Sequence, residues 1–169
     1  MDYEKKDRQE NRFAFGSSDP LSFPGGTLHR ATKKKFPALQ GLAIQALHLN
    51  PRAVREPHVH PNAHQLDYCV SGKARVGIIG PEGHRQLLDL GPGDISFVPQ
   101  GYAHWIENVG DGPLHFLVIL SHEEPETIET SEIIGGVPKP TLASALGLAE
   151  DLVNQLHGKT VTIGDGSIL

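Results

Sequence analysis

The histidines of His58-Val59-His60 stand two apart, and a second segment, Gly93-Asp94-Ile95-Ser96-Phe97-Val98-Pro99-Gln100-Gly101-Tyr102-Ala103-His104, carries a third behind closely spaced glycines and a proline. Side chains alternate along an extended strand, so an H-x-H pair presents both imidazoles to one face. A hairpin that brings His104 alongside completes a facial set of three nitrogens. Three imidazoles leave coordination positions for water and substrate. Manganese, iron, nickel, copper and zinc all suit such a set, and geometry and availability select among them.

The chain between and around these segments is written for strands. Nineteen glycines and thirteen prolines punctuate short apolar stretches, the pattern of an all-β sandwich or barrel. Strands are expected over Leu42–Leu49, Gln65–Ser71, Lys73–Ile79, Arg85–Leu90, Ile95–Val98, His104–Asn108 and Leu114–Ser121. Past Ser121 the periodicity turns helical, and two short helices are expected over Pro140–Leu148 and Ala149–His157. The first dozen residues are polar enough to stay disordered, and Phe13–Pro24 reads as an arm that packs on a neighbour or on the outside of the barrel. The expected organisation is a flexible N-terminal arm (1–24), one barrel (25–125) and a C-terminal helical extension (126–169). At 169 residues this is a single core large enough to stand without staples.

Composition removes several classes of function. Cys69 is the only cysteine, so no intrachain disulfide forms, and no apolar run reaches the roughly 18 residues of a membrane span. The charged start, Met1–Arg12, lacks an apolar signal-peptide core, and a cytoplasmic protein is expected. A net charge of −5 argues against nucleic acid as a partner. The single basic run, Lys33-Lys34-Lys35, reads as a solvated loop before Phe36-Pro37.

With those residues in view, the chain resembles the cupins, whose jelly-roll β-barrel holds a metal between two motifs. His58, His60 and Gly72 fall on the first motif, with Gln65 where that family has an acidic ligand; Gly93, Pro99, Gly101, His104 and Asn108 satisfy the second. Within the cupins, Arg55-Glu56-Pro57-His58, Ser71–Val76 and the stretch Glu126–Leu148 are similar to one half of an oxalate decarboxylase, a likeness that spans roughly residues 36–150. The resemblance implies one divalent transition metal, manganese first, held by His58, His60, Gln65 and His104. It also implies a decarboxylase or oxidoreductase acting on a small-molecule carboxylate. Two departures matter. Arg52 stands where the family has a glycine, which is tolerable if that turn does not need a positive φ. Gln65 brings no negative charge, so the site keeps the full +2 and oxidation of the metal becomes harder. His122–Glu126 lies where the resembling decarboxylases carry a proton-donating lid. It is shorter here, which favours oxidase or dioxygenase chemistry over decarboxylase chemistry.

Pleat parity puts Gln65, Asp67 and Cys69 on the interior face, while His64 could replace Gln65 as fourth ligand if a bulge turned it inward. An interior Asp67 would be desolvated or held by Arg55, Arg75 or the metal, and it is a candidate for proton transfer or substrate orientation. Arg55 is a candidate for gripping a substrate carboxylate, against a plain salt bridge with Glu56 or a neighbouring subunit. Cys69 reads as an apolar filler, and His29, His48, His84, His115 and His157 as surface or packing residues. Three functions follow from these residues. They are an oxalate-type decarboxylase or oxidase, a dioxygenase that uses three histidines and a glutamine on an enolisable substrate with Asp67 as base, and a non-enzymatic ligand-binding protein. A homo-oligomer, dimer or higher, is expected because the outer strands are apolar.

Overall fold

The computed structural model describes residues 10–156, 158 and 161–166. The expected disorder of residues 1–9 and the expected helix end at His157 lie outside the described residues. The strands are β1 (Leu21–Phe23), β2 (Gly26–Ala31), β3 (Ala43–Leu49), β4 (Val54–Val59), β5 (Gln65–Ser71), β6 (Ala74–Ile79), β7 (Arg85–Leu90), β8 (Ile95–Val98), β9 (Ala103–Asn108), β10 (Leu114–Leu120), β11 (Ile128–Glu129) and β12 (Ile163–Gly164). The helices are α1 (Thr130–Gly136), α2 (Lys139–Leu146) and α3 (Glu150–Gln155). Two antiparallel sheets face each other, one in the order β1-β2-β3-β10-β5-β8 and the other β11-β4-β9-β6-β7, with β12 also paired to β4. This is the all-β jelly-roll architecture with short C-terminal helices.

Alternation decides which side chains go inside. On β5, Gln65, Asp67 and Cys69 are buried, while Leu66 and Tyr68 are exposed. On β10, Leu114, Phe116, Val118 and Leu120 face inward, in register with β3 and β5. Leu28, Leu47, Phe116, Ile106 and Val76 meet between the sheets in one core, each worth roughly 1.5–3 kcal/mol of burial. Asn108, the last residue of the second motif, closes one end of this core. Its side-chain amide donates to the carbonyls of Leu49, Asn50 and Gly112, and its oxygen accepts the Gly110 N–H. One buried side chain thus ties the turn after β3 to the turn before β10.

The expected strands all form, with ends shifted by no more than a residue. The N-terminal arm packs on the outside of its own barrel, where Phe13 stacks on Phe36 at 5.5 Å and β1 pairs with β2. Beyond residue 125 the chain is not helical alone, because β11 and β12 both pair with β4. Two-residue strands carry no periodicity, and Gly135-Gly136 hides α1 from a propensity reading.

The turn before β4 does require a positive φ. Arg52 adopts φ +65° there, and a Cβ at Gly166 would collide with its carbonyl oxygen. A left-handed non-glycine residue costs about 1–2 kcal/mol, and glycine returns about 0.5–1 kcal/mol of that as unfolded-state entropy. Arg52→Gly is therefore expected to raise stability by about 0.5–1 kcal/mol, read as a higher midpoint in denaturant unfolding.

Candidate metal centre

Arg55 and His58 lie three apart on β4, a spacing that a regular pleat would send to opposite faces. The ladder with β9 pairs Arg55 with Ile106 and His58 with His104, so Glu56 and Pro57 together oppose Trp105. Pro57 has no N–H to give to the ladder, and the extra residue is a β-bulge that resets the parity. Both Arg55 and His58 are consequently buried. His60 follows just past the strand end, where its carbonyl accepts the N–H of Gly101, a residue that turns at φ +81°. The P-x-G turn of the second motif thereby holds the second histidine of the first.

The three imidazoles converge. Ring centroids are 4.2 Å apart for His58 and His104, 4.9 Å for His58 and His60, and 5.3 Å for His60 and His104. One ligand nitrogen from each lies within 4.8 Å of the others, and this is the group of that kind among the described residues. Each Nδ1 faces a backbone carbonyl: Glu56 O at 2.7 Å from His58, Glu126 O at 2.7 Å from His60 and Tyr102 O at 3.0 Å from His104. A carbonyl only accepts, so each Nδ1 carries the proton and each Nε2 keeps a lone pair for the centre.

Gln65 adds a fourth acceptor. Its Oε1 lies 3.0 Å from His104 Nε2, and its Nε2 donates to Asp67 Oδ1 at 2.8 Å. Four lone pairs with no proton between them meet in a buried space, an arrangement that a cation satisfies and that nitrogen and oxygen donors suit for a divalent transition metal. His64 points elsewhere: it is exposed, stacks on Phe97 and accepts the Gln100 N–H at 3.0 Å. Asp67 is fully buried behind Gln65, with Ser96 Oγ donating to its other oxygen at 2.7 Å. Arg75 pairs instead with Asp89 on the surface.

Arg55 is not paired with Glu56. Its guanidinium grips Glu129 with two bonds of 2.6 and 2.7 Å and reaches the Thr162 carbonyl at 3.2 Å. Glu129 is the ladder partner of His58, so this buried pair borders the histidines. Glu56 turns the other way and clips Ser131 and Thr162. Sequence reading missed both Glu129 and Arg30. Arg30 lies two residues from the core residue Leu28 on β2 and opposite the buried Gln45. Its Nε is buried with no hydrogen-bond partner, and none of the ion pairs among the described residues includes it. Burial pulls its pKa down, as does the charge of Arg55, against the opposing pull of Glu129 and Glu124. Recognising β2 as a strand would have exposed Arg30 by parity with Leu28; Glu129 had no such signal.

The segment His122–Glu126 is tied down. Glu123 pairs with Lys33 and accepts the Gly41 N–H, and Glu124 accepts the Lys34 N–H. Away from the centre, His48 stacks on His115 at 4.2 Å and meets His29 edge to face at 5.7 Å, outside the barrel.

Burial holds His104 down to about 3, His58 well below 6.5 and His60 below it. These groups bind fewer protons folded than unfolded, so their contribution to stability is present above the unfolded value and is lost as pH falls towards the folded one. Asp67, which burial pushes up to about 7, has the opposite sign: its contribution is lost as pH rises towards 7. Three histidines outweigh one carboxyl. Melting temperature is expected to fall as pH drops below 6.5, with bound metal released over the same range, as followed by circular dichroism and elemental analysis. His60→Ala should abolish metal retention at neutral pH, and an unchanged metal-to-protein ratio would refute the site.

Comparison with known proteins agrees with this geometry. A family model described as Cupin matches residues 14–154. Oxalate decarboxylase OxdC of Bacillus subtilis is 30% identical over 138 residues, which cover 82% of this chain and 36% of that protein. An oxalate decarboxylase of Arthroderma benhamiae is 30% identical over 133 residues, covering 78% of this chain and 31% of its own length. A probable germin-like protein of Arabidopsis thaliana is 26% identical over 135 residues, covering 78% of this chain and 63% of the relative. A solved structure of the Bacillus subtilis oxalate decarboxylase, from work on its Mn(II) centres, superposes with a TM-score of 0.85 at 28% identity, covering 90% of this chain and 40% of that one. The chain thus spans about a third of the decarboxylases it matches. With its three histidines between two facing sheets and the family match over most of its length, this chain belongs to the cupins.

Proposed function

We propose that this cupin is a metal-dependent enzyme acting on a small carboxylate of the oxalate type. Manganese is the proposed ion, held by His58, His60, His104 and Gln65. The observation that carries this reading is the convergence of four acceptor atoms beside two interior arginines. The similarity to oxalate decarboxylases and the Mn(II) centres of one of them support the substrate class and the ion. When bound, the ion supplies Lewis acidity and one-electron redox chemistry.

The residues divide the remaining work. A dicarboxylate entering the barrel meets one free guanidinium, Arg30, and one already occupied, Arg55. Arg30 takes the carboxylate end remote from the metal, because its unpartnered donors gain bonds without breaking any. Arg55 acts by holding Glu129 beside His58. Glu129 is a positioning residue here: both of its oxygens accept from the Arg55 guanidinium, which holds it as a carboxylate although burial pulls its pKa up. Asp67 offers less to the dioxygenase alternative as a base, since Gln65 and Ser96 occupy its two oxygens.

Purified, metal-analysed protein incubated with oxalate tests the reading. Formate with CO2 is expected from decarboxylation, and CO2 with peroxide from oxidation. Metal-loaded protein that yields neither supports the ligand-binding alternative, and oxygen uptake with enolisable diketones alone supports the dioxygenase. Arg30→Gln is expected to raise KM for oxalate by about 10- to 100-fold, the weight of a lost charge-assisted contact.

We also propose that copies associate. Leu66 and Tyr68 on β5 sit opposite Phe97 and Ile95 on the edge strand β8, and the four are 40%, 40%, 54% and 62% exposed. A contiguous apolar face of this kind is what a partner copy covers. Light scattering is expected to return about twice 18.3 kDa or more, and Phe97→Asp to return the monomer mass.

A further inference from the structure

A glutamine is an ambiguous ligand. Its carboxamide has nearly the same shape with oxygen and nitrogen exchanged, but only the oxygen can bind a cation. Rotation by half a turn about the last bond would aim two N–H donors at the metal and abolish the fourth contact. Something must therefore break the symmetry, and around Gln65 the structure shows one group that does so.

That group is Asp67. Gln65 and Asp67 are neighbours on the inward face of β5, and the Gln65 Nε2 donates to Asp67 Oδ1 at 2.8 Å while Oε1 faces His104. Asp67 is itself fixed from the adjacent strand, since Ser96 on β8 is its register partner and donates to Oδ2 at 2.7 Å. Both side chains are fully buried and Ser96 nearly so, which shields these bonds from competition by bulk solvent. Both Asp67 oxygens stand as acceptors, one to Gln65 Nε2 and the other to Ser96 Oγ, so the Gln65 nitrogen is drawn away from the centre and its oxygen is left facing it.

We propose that Asp67, clamped by Ser96, is a positioning residue that holds the Gln65 carbonyl oxygen on the metal, so that the Gln65–Asp67 pair does together what one ligand carboxylate would do alone. The carboxamide reaches the ion, and the carboxylate stands one hydrogen bond behind it and polarises it. The inference rests on the three-histidine centre and is independent of which substrate that centre takes.

Binding of manganese(II) to the full chain tests it, measured through loss of the free-ion electron paramagnetic resonance signal. Asp67→Asn is nearly isosteric, but its amide can either accept from Gln65 or donate to it, and donation rotates the Gln65 oxygen away. Manganese affinity is expected to fall by about 10- to 100-fold, the usual weight of a group behind a metal ligand. In a Gln65→Ala background the same change is expected to do nothing further, because Asp67 acts only through Gln65. Gln65→Glu combined with Asp67→Asn is expected to restore affinity, since a carboxylate presents an acceptor in either rotation and the amide introduced behind it can donate to it. Ser96→Ala provides a milder variant with the Asp67 carboxylate intact, expected to lower affinity severalfold. Unchanged affinity in Asp67→Asn, or losses that add in the double variant with Gln65→Ala, would overturn the proposal. His60→Ala serves as control: if it too retained manganese, the metal centre itself would fail rather than this refinement of it.

Discussion

Three hydrogen bonds from histidine Nδ1 to backbone carbonyls govern the interior of this barrel. Each takes up the one proton of a neutral imidazole, and together they leave the Nε2 atoms facing one another with nothing between them to donate. The carbonyls come from Glu56, Tyr102 and Glu126, on β4, on the turn before β9 and on the segment before β11. Three stretches remote in sequence must therefore be in place before the site exists. In turn, an unbalanced cluster of acceptors is unfavourable in a low-dielectric interior until a cation joins it. The same bonds that orient the ligands make the folded chain a binder of cations.

The polar residues around this cluster are layered by sheet register. Across the first sheet, Arg30, Gln45, Val118, Asp67 and Ser96 lie on one rung. The rung beneath, Leu28, Leu47, Phe116 and Cys69, is apolar and forms the floor. Every polar group on a rung so close to the core needs a partner, and Asp67 and Ser96 find theirs in each other and in Gln65. Arg30 does not, which is why it stands out as the cation with capacity to spare. Arg55 on the opposite sheet is saturated by Glu129, and removing either member of that buried pair would strand a charge at a cost of about 3–5 kcal/mol.

Much of this was legible in the chain. The glycine and proline punctuation marked out seven of the barrel's strands but left β2 unread and β4 without bounds. The two spaced motifs located all three histidines, and strict alternation along β5 put Gln65 and Asp67 indoors and His64 outdoors. Asn108 and Gly101 were visible as motif positions, although their work, tying turns together, emerged only with the hydrogen bonds.

What the sequence determined by itself was periodicity and the residue types that chemistry demands: an alternating inner face, paired histidines and the neutral Gln65 in place of an acid. Tertiary structure alone decided the partners, because these join segments far apart in the chain. Glu129 reaches Arg55 through the two-residue strand β11, too short to announce itself, and Arg55 faces inward only because the bulge at Glu56-Pro57 shifts the pleat by one. Arg52 shows the same division: its identity is written in the chain, but the left-handed turn it must adopt is imposed by the packing of β4 against the C-terminal strand and Gly166. A local pattern fixes which face a residue prefers, whereas only closure of the barrel fixes what that face meets.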